Sequence, residues 1–473
     1  MATSLPVRPN IVMFPFMSKG HTIPLLHLAR LLVNRGTIVT LFTTKANHPF
    51  ISHFLKTCQH GGSISIIDLP FPSDIEGVPQ GIESTDKLPS IKLFLQFVVA
   101  TKLMQPHFEQ SLSKLSNVIC IVSDGFLSWT LASASKFGIP RFSFYGMGGY
   151  ASAVSRDVGL KLSGPTSDDE PIPVPRFPWI KVTRNDFDEP FNQREPSGQF
   201  MDFVMETRIA TVNSYGMIMN TFYELEPLFL DYLNHETKPK PWCVGPLCLA
   251  DSPAVFTGQK PEWIRWLDQK LATGTSVLYV AFGSQAEIST QQMEAVSKGL
   301  EESEINFLWV VRKCDKNILD DLEKRVGDRG MIVKEWVNQM EILKHESVNG
   351  FVSHCGWNSV LESICSKVPI LAWPMMAEQP LNAKMVVEEI KIGLRVETCD
   401  GSVKGFVKSD GLKKMIKELM EGEKGKEVRK KVKEVGVAAK EAMAYGGSSW
   451  RTLNELIKEV QSVGNNGKHV GEV

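Results

Sequence analysis

The sequence predicts an α/β fold in two halves, each a parallel sheet covered by helices. Three observations carry this prediction. Short apolar runs alternate with amphipathic stretches along nearly all of the 473 residues. The first of these read strand, helix, strand, a βαβ unit whose two strands must run parallel. The rhythm then restarts after a stretch rich in Pro and Gly between Lys238 and Glu262. A chain of this length also exceeds one hydrophobic core, so more than one domain is expected.

Asn10–Phe16 reads as a buried strand. Ile23–Asn34 has helical apolar spacing, with Gly36 just past its end. Thr37–Thr44 is β-branched and completes the unit, and Val118–Ser123 and Pro140–Tyr145 extend the sheet. Ser163–Pro196, dense in Pro, Asp and Ser, reads as a long loop. In the second half, Val277–Phe282, Phe307–Val311, Met331–Lys334, Asn349–Ser353 and Pro369–Trp373 read as strands. Thr290–Glu301 and a segment from Trp357 read as helices between them. Gly411–Ala444 reads as a charged helical face and Ser449–Val460 as a last helix. The expected domains are therefore 1–245, a linker 246–262, and 263–448. A C-terminal helix in 449–473 packs back on the first domain and ends in a polar tail.

Composition narrows the function. Hydrophobic residues make up 43% and charged residues 22%, so the chain is globular rather than disordered. A formal net charge of −1 gives no general bias towards nucleic acid. The eight cysteines form no CxxC pair, which suits a reducing compartment. No run reaches the roughly 20 apolar residues of a membrane span, and Ile11–Phe16 is too short for a signal core. A cytoplasmic monomer is expected.

Ligands of such folds bind outside the carboxyl ends of the strands, near helix N-termini. Ser353-His354-Cys355-Gly356-Trp357-Asn358-Ser359 lies between a strand and a helix. Its backbone N–H groups and polar side chains suit a diphosphate, although the same residue types cap helices. Glu362 follows Asn358 by four residues, on the same helical face, where it can accept bonds from a ribose diol. Trp336 can stack on a base and Gln339 can bond its edge or the ribose. Glu378 and Gln379 offer hydrogen-bonding groups to sugar hydroxyls.

The segment Trp336–Gln379 strongly resembles the signature box of the plant UDP-dependent glycosyltransferases. The matching positions are HCGWNS at 354–359, Glu362, WP at 373–374 and EQ at 378–379. Tyr279–Ser284, Phe307–Arg312, Val244–Leu247 and Gly446–Ser449 also resemble that family, so the likeness extends over most of the chain. The resemblance implies two Rossmann-like α/β domains facing across a cleft (GT-B type), and an inverting transfer of sugar from a UDP-sugar to a small acceptor. It implies that Trp336 stacks on uracil, Val337 contacts it through the main chain, and Gln339 and Glu362 address the ribose. Ser284, His354, Gly356, Asn358 and Ser359 hold the diphosphate. Trp357, Glu378 and Gln379 meet the transferred sugar, and Gln379 resembles the glucose-using members. Val337-Asn338 departs from the usual Ala-Pro. No cofactor is implied, since UDP-glucose is a co-substrate.

The resemblance further implies that His21 is the catalytic base and Asp124 its partner. His21 reads as a loop residue after the first strand, with Gly20 allowing a turn and Pro24 in the first turn of the next helix. A carboxylate on one imidazole nitrogen fixes the tautomer. His27 is a nearby competitor. Asp186-Phe187-Asp188 spells a DxD that some sugar transferases use for a divalent ion; here it reads as an acidic loop, and no metal site is expected. Phe16, Phe126, Phe144, Tyr145 and Met201 are candidate walls of an acceptor pocket suited to flavonoids or other phenolics, with terpenoids and hormones as alternatives. A dinucleotide-dependent oxidoreductase is disfavoured, because the first turn lacks GxGxxG and Thr43-Thr44-Lys45 offers no acid for a ribose. A non-catalytic UDP-sugar binder would not need both His21 and Asp124.

Overall fold

A computed structural model describes residues 8–56, 63–159, 167–250, 260–311 and 316–468. Arg312, most of the expected linker and the end of the polar tail lie outside the described residues. The chain divides into two compact units: 1–149 with 197–252 and 442–473, and 150–196 with 253–441. The units thus interleave along the sequence. The run 150–196 clusters with the second unit, and the chain end with the first.

In chain order, the first nine strands are β1 (Asn10–Phe14), β2 (Ile38–Thr44), β3 (Ile64–Leu69), β4 (Val118–Asp124), β5 (Arg141–Tyr145), β6 (Ile172–Val174), β7 (Phe177–Val182), β8 (Gly216–Met219) and β9 (Pro241–Cys243). All but β6 and β7 form the first unit's parallel sheet, ordered β3-β2-β1-β4-β5-β8-β9. β1 is buried throughout because both faces are covered. Ile11 and Met13 join Leu25, Leu28, Ala29 and Leu32 of helix Lys19–Val33 in one layer. Val12 and Phe14 point to the other, among Phe42, Phe108 and Trp129. The C-terminal helix Ser448–Lys468 completes the first layer with Leu453, Leu456, Ile457 and Val460. Burial of such side chains stabilises by about 1.5–3 kcal/mol each, which fixes this helix to the first sheet. Ser449 Oγ adds a hydrogen bond to the Gly245 carbonyl at 2.5 Å.

The second unit repeats the plan with β10 (Val277–Ala281), β11 (Asn306–Val310), β12 (Gly330–Val333), β13 (Val348–Ser353), β14 (Ile370–Ala372) and β15 (Gly393–Arg395). Their order is β12-β11-β10-β13-β14-β15, all parallel. Leu278 and Val280 face a core containing Met293, Leu300, Trp309 and Ile416. Tyr279 points the other way and stacks on Phe351 with centroids 4.8 Å apart. In both sheets the strand order reverses beside the first strand of the unit, at β1/β4 and at β10/β13. These are the switch points where such sheets open a crevice for a ligand.

Several expectations need correction. The first helix starts at Lys19, with Ser18 as an extended N-cap, so His21 lies in its first turn and not in a loop. Pro24 sits six residues in, where it supplies no N–H to the ladder; the apolar strip around it keeps the helix in place. The Pro-rich run 163–196 is no structureless loop: β6 and β7 form an antiparallel hairpin within it. Phe177, Ile180 and Val182 are buried there between exposed Pro178, Trp179 and Lys181. β9 lies within the stretch rich in Pro and Gly; as an edge strand it tolerates Pro241. The charged face 411–444 is two helices, Ser409–Glu421 and Glu423–Met443, broken at Gly422. Among the described residues, no helix is long and apolar enough to cross a membrane.

Candidate active site

The carboxyl ends of β1 and β4 bring His21 and Asp124 together. His21 Nδ1 lies 2.8 Å from Asp124 Oδ2, and the other carboxylate oxygen accepts the Phe126 N–H at 3.0 Å. Asp124 is buried, whereas the His21 side chain keeps 31% exposure. An ionised carboxylate can only accept, so Nδ1 carries the proton and the basic lone pair sits on Nε2. Behind this pair the buried Arg141 guanidinium donates to the Asp124 carbonyl at 3.3 Å, to Ser123 Oγ at 2.8 Å and to Thr130 Oγ1 at 2.9 Å. Burial pushes Arg141 down to about 10, opposed by Tyr145 and Asp124. His27, the competitor, is buried edge-on against Phe54.

Of the expected acceptor walls, Phe16 and Phe126 do flank His21, with centroids at 5.4 Å and 4.9 Å. Phe94 and Phe97 of helix Phe94–Ala100 and Phe203 of helix Gln199–Val212 extend this aromatic set, unforeseen because both helices are distant in sequence from His21. Phe144 does not belong to it. Strand alternation turns it to the opposite face, into the core with Ile11 and Met13. Tyr145 bonds Thr211 Oγ1 at 3.0 Å through its hydroxyl, and burial raises its pKa. Met201 is half-buried on helix Gln199–Val212, where Phe200, Phe203 and Val204 pack against the aromatic set.

The donor-box residues gather around β10 and β13 of the second unit. After β13, Cys355 adopts a left-handed conformation at φ +61°, and Gly356 caps helix Trp357–Ser366. Ser353 Oγ accepts the Cys355 N–H at 3.1 Å, and Asn382 Nδ2 donates to the Cys355 carbonyl at 2.9 Å. The turn therefore aims the N-terminus of this helix out of the sheet, and its first N–H groups and macrodipole favour an anion. His354 packs between two glycines. A Cβ on Gly283 or Gly356 would lie 2.7 Å or 2.6 Å from His354 Nε2. Burial lowers the imidazole to about 4, despite a bond to the Ala281 backbone, so it is neutral at pH 7. Ser284 is half-buried just past β10.

Gln339, Ser359 and Glu362 form one network. Gln339 Nε2 donates to Glu362 Oε2 at 2.6 Å and to Ser359 Oγ at 2.9 Å, while Gln339 Oε1 accepts from the Tyr279 hydroxyl at 3.3 Å. Burial raises Glu362 to about 7, with the Gln339 bond opposing. Tyr279 was not singled out from the sequence; the signal was a hydroxyl in a central, fully buried strand, which must find a partner. Trp336 is 41% exposed, Val337 and Trp357 are buried, and Asn358 is half-buried in the first turn of the helix. Gln379 Oε1 accepts from the N–H groups of Met375 and Met376, both at 3.0 Å, and Glu378 Oε1 accepts from Asn382 at 3.3 Å. Neither carboxylate of the DxD is poised as a metal ligand. Asp186 closes a capping box with Thr183, and Asp188 bonds Ala377 and Lys404. Among the described residues, no group of three His, Cys, Asp or Glu could hold a metal ion.

Residues 266–433 match the family described as UDP-glucoronosyl and UDP-glucosyl transferase. UDP-glycosyltransferase 90A1 of Arabidopsis thaliana is 55% identical over 95% of this chain and 96% of its own length. UDP-glucose flavonoid 3-O-glucosyltransferase 7 of Fragaria ananassa is 35% identical over 96% of both chains. The crystal structure of Glycyrrhiza uralensis UGT73P12, complexed with glycyrrhetinic acid 3-O-monoglucuronide, superposes with a TM-score of 0.88 at 30% identity and 98% coverage of both chains. The expected fold class, two Rossmann-like domains of the GT-B type, is the one observed.

Proposed function

We propose, since this chain belongs to the family of plant UDP-glycosyltransferases, that it transfers glucose from UDP-glucose to a hydroxyl of a small lipophilic acceptor, with inversion at the anomeric carbon. Activity on a small molecule with a UDP-sugar donor is the family's; the sugar, the acceptor class and the stereochemistry are our reading. The observation that carries it is the His21–Asp124 pair at the switch point of the first sheet. Nε2 takes the proton of the acceptor hydroxyl, and Asp124 stabilises the imidazolium that forms. The acceptor oxygen attacks the anomeric carbon as the bond to the diphosphate oxygen breaks, and UDP leaves with the bonding pair. The N-terminus of helix Trp357–Ser366, Ser284 and neutral His354 stabilise the leaving diphosphate through hydrogen bonds. Trp336 stacks on uracil, with the Val337 main chain at its edge. Glu362 accepts from the ribose, held in place by Gln339. Trp357, Glu378 and Gln379 meet the sugar.

The flavonoid or phenolic reading of the acceptor rests on the aromatic set around His21 and on the relative named a flavonoid 3-O-glucosyltransferase. The eight cysteines form no CxxC pair, which suits the reducing cytoplasm, where we place the reaction. The mechanism gives no step to a metal, and full activity in excess chelator is expected; a strict need for a divalent ion contradicts it. The direct test offers UDP-glucose with a mixed panel of phenolic, terpenoid and hormone acceptors and reads the products by mass. Products carrying one added hexose on a phenolic hydroxyl support the reading. UDP binding without transfer to any acceptor would favour a sugar-nucleotide sensor instead.

A further inference from the structure

We propose that Asp188 is a positioning residue that sets which sugar the donor loop accepts. This rests on the reading above that Glu378 and Gln379 meet the transferred hexose. Asp188 lies just after the β6–β7 hairpin, in the DxD that binds no metal in our mechanism. Its Oδ2 accepts the backbone N–H of Ala377 at 2.7 Å. Its Oδ1 accepts from Lys404 Nζ at 2.9 Å and from the Glu189 N–H at 3.0 Å. One carboxylate therefore ties together the turn after β14 and the loop that carries Lys404.

That turn needs such a tie. Ala377 adopts φ +54°, a left-handed conformation unfavourable for a residue with a Cβ. Three consecutive N–H groups in the turn end on side-chain oxygens. Those of Met375 and Met376 go to Gln379 Oε1, and that of Ala377 goes to Asp188. With its amide oxygen committed inside the turn, Gln379 keeps only Nε2 as a donor towards a sugar, and its aim depends on the turn. Glu378, next to Ala377, inherits the same dependence. The epimeric hydroxyl that separates glucose from galactose differs in direction, not in chemistry. Discrimination therefore demands fixed donors and acceptors, and small displacements are costly. Uracil, ribose and diphosphate lie with other residues, which Asp188 does not touch.

The test compares wild type with Asp188→Ala, Asp188→Asn and Lys404→Met. It measures kcat and KM with UDP-glucose and UDP-galactose, and the affinity for UDP alone by calorimetry. Asp188→Ala is expected to lower kcat/KM for UDP-glucose by about 10-fold to 100-fold, to narrow the preference for glucose over galactose, and to leave UDP affinity at the wild-type value. Asp188→Asn keeps an oxygen for the Ala377 N–H but loses the charge that holds Lys404, so it should recover only part of the loss and still shift the sugar preference measurably; Lys404→Met should lie between Asp188→Asn and wild type. An unchanged sugar preference in Asp188→Ala overturns the proposal, as does a fall in UDP affinity that matches the fall in kcat/KM. If Asp188→Ala does not fold, unchanged sugar preference in both Asp188→Asn and Lys404→Met overturns it equally. Failure of the wild type to use UDP-glucose would instead strike at the proposed function itself.

Discussion

The two switch points solve different problems with the same topology. At β1/β4 a partly exposed imidazole leans on a buried carboxylate, and aromatic rings crowd around it. At β10/β13 the groups are neutral or shared: a desolvated histidine wedged between glycines, a helix N-terminus, and a carboxyl held by an amide that a tyrosine holds in turn. The first arrangement suits moving a proton, because its tautomer is fixed and its pair can charge. The second suits holding a polyanion, because its donors are fixed and add no charge that water would have to solvate. Parallel sheets offer the crevice, and the residues at the strand ends decide its use.

This contrast is open to breaking. Asp124→Asn should cut turnover by about 10²–10⁴-fold through loss of the tautomer, with UDP affinity intact by calorimetry; a parallel loss of UDP binding would merge the two sites' roles. Gly283→Ala should do the reverse. Its Cβ meets His354, and its φ of +83° suits glycine. UDP affinity should fall by about tenfold, the equivalent of roughly 1–2 kcal/mol of left-handed strain. A subtler probe is pH. Glu362 sits at about 7 instead of the usual carboxylate range, so its proton is lost only near neutrality. On the proposed ribose role of Glu362, donor affinity should rise with pH through about 7, and Glu362→Gln should remove that limb. The sign for stability is opposite. A raised carboxyl binds its proton more tightly when folded, so its contribution is fullest below the unfolded pKa and is lost as pH climbs towards 7. Least disturbing to chemistry should be Leu456→Ala in the C-terminal helix. A loss of about 2–5 kcal/mol of stability by chemical denaturation is expected, with kcat unchanged at 25 °C.

Legibility in the sequence follows the same divide. Most of the donor box was nameable because its groups come from one stretch, Trp336–Gln379, whose motif carries the family resemblance. The His21–Asp124 pair was nameable only through resemblance, since the two residues lie 103 positions apart. Its setting was misread, because Pro24 looked like a helix start, whereas the helix begins a turn earlier, through Lys19-Gly20-His21-Thr22 with Ser18 as its N-cap. Phe144 was assigned to a pocket on residue type, although strand alternation sends it to the core. The hairpin hid behind its prolines, and Asp188 hid behind a motif with another meaning. Arg141, Tyr279 and Phe203 act through contacts distant in sequence, which no local pattern encodes.

The central claim is that proton transfer belongs to the first unit and donor binding to the second. The most direct measurement takes folded His21→Ala and determines, on one preparation, its UDP affinity and its initial rate on a hydroxyl acceptor. Wild-type UDP affinity is expected, with turnover reduced by about 10²–10⁴-fold. Wild-type turnover in that variant would contradict that claim.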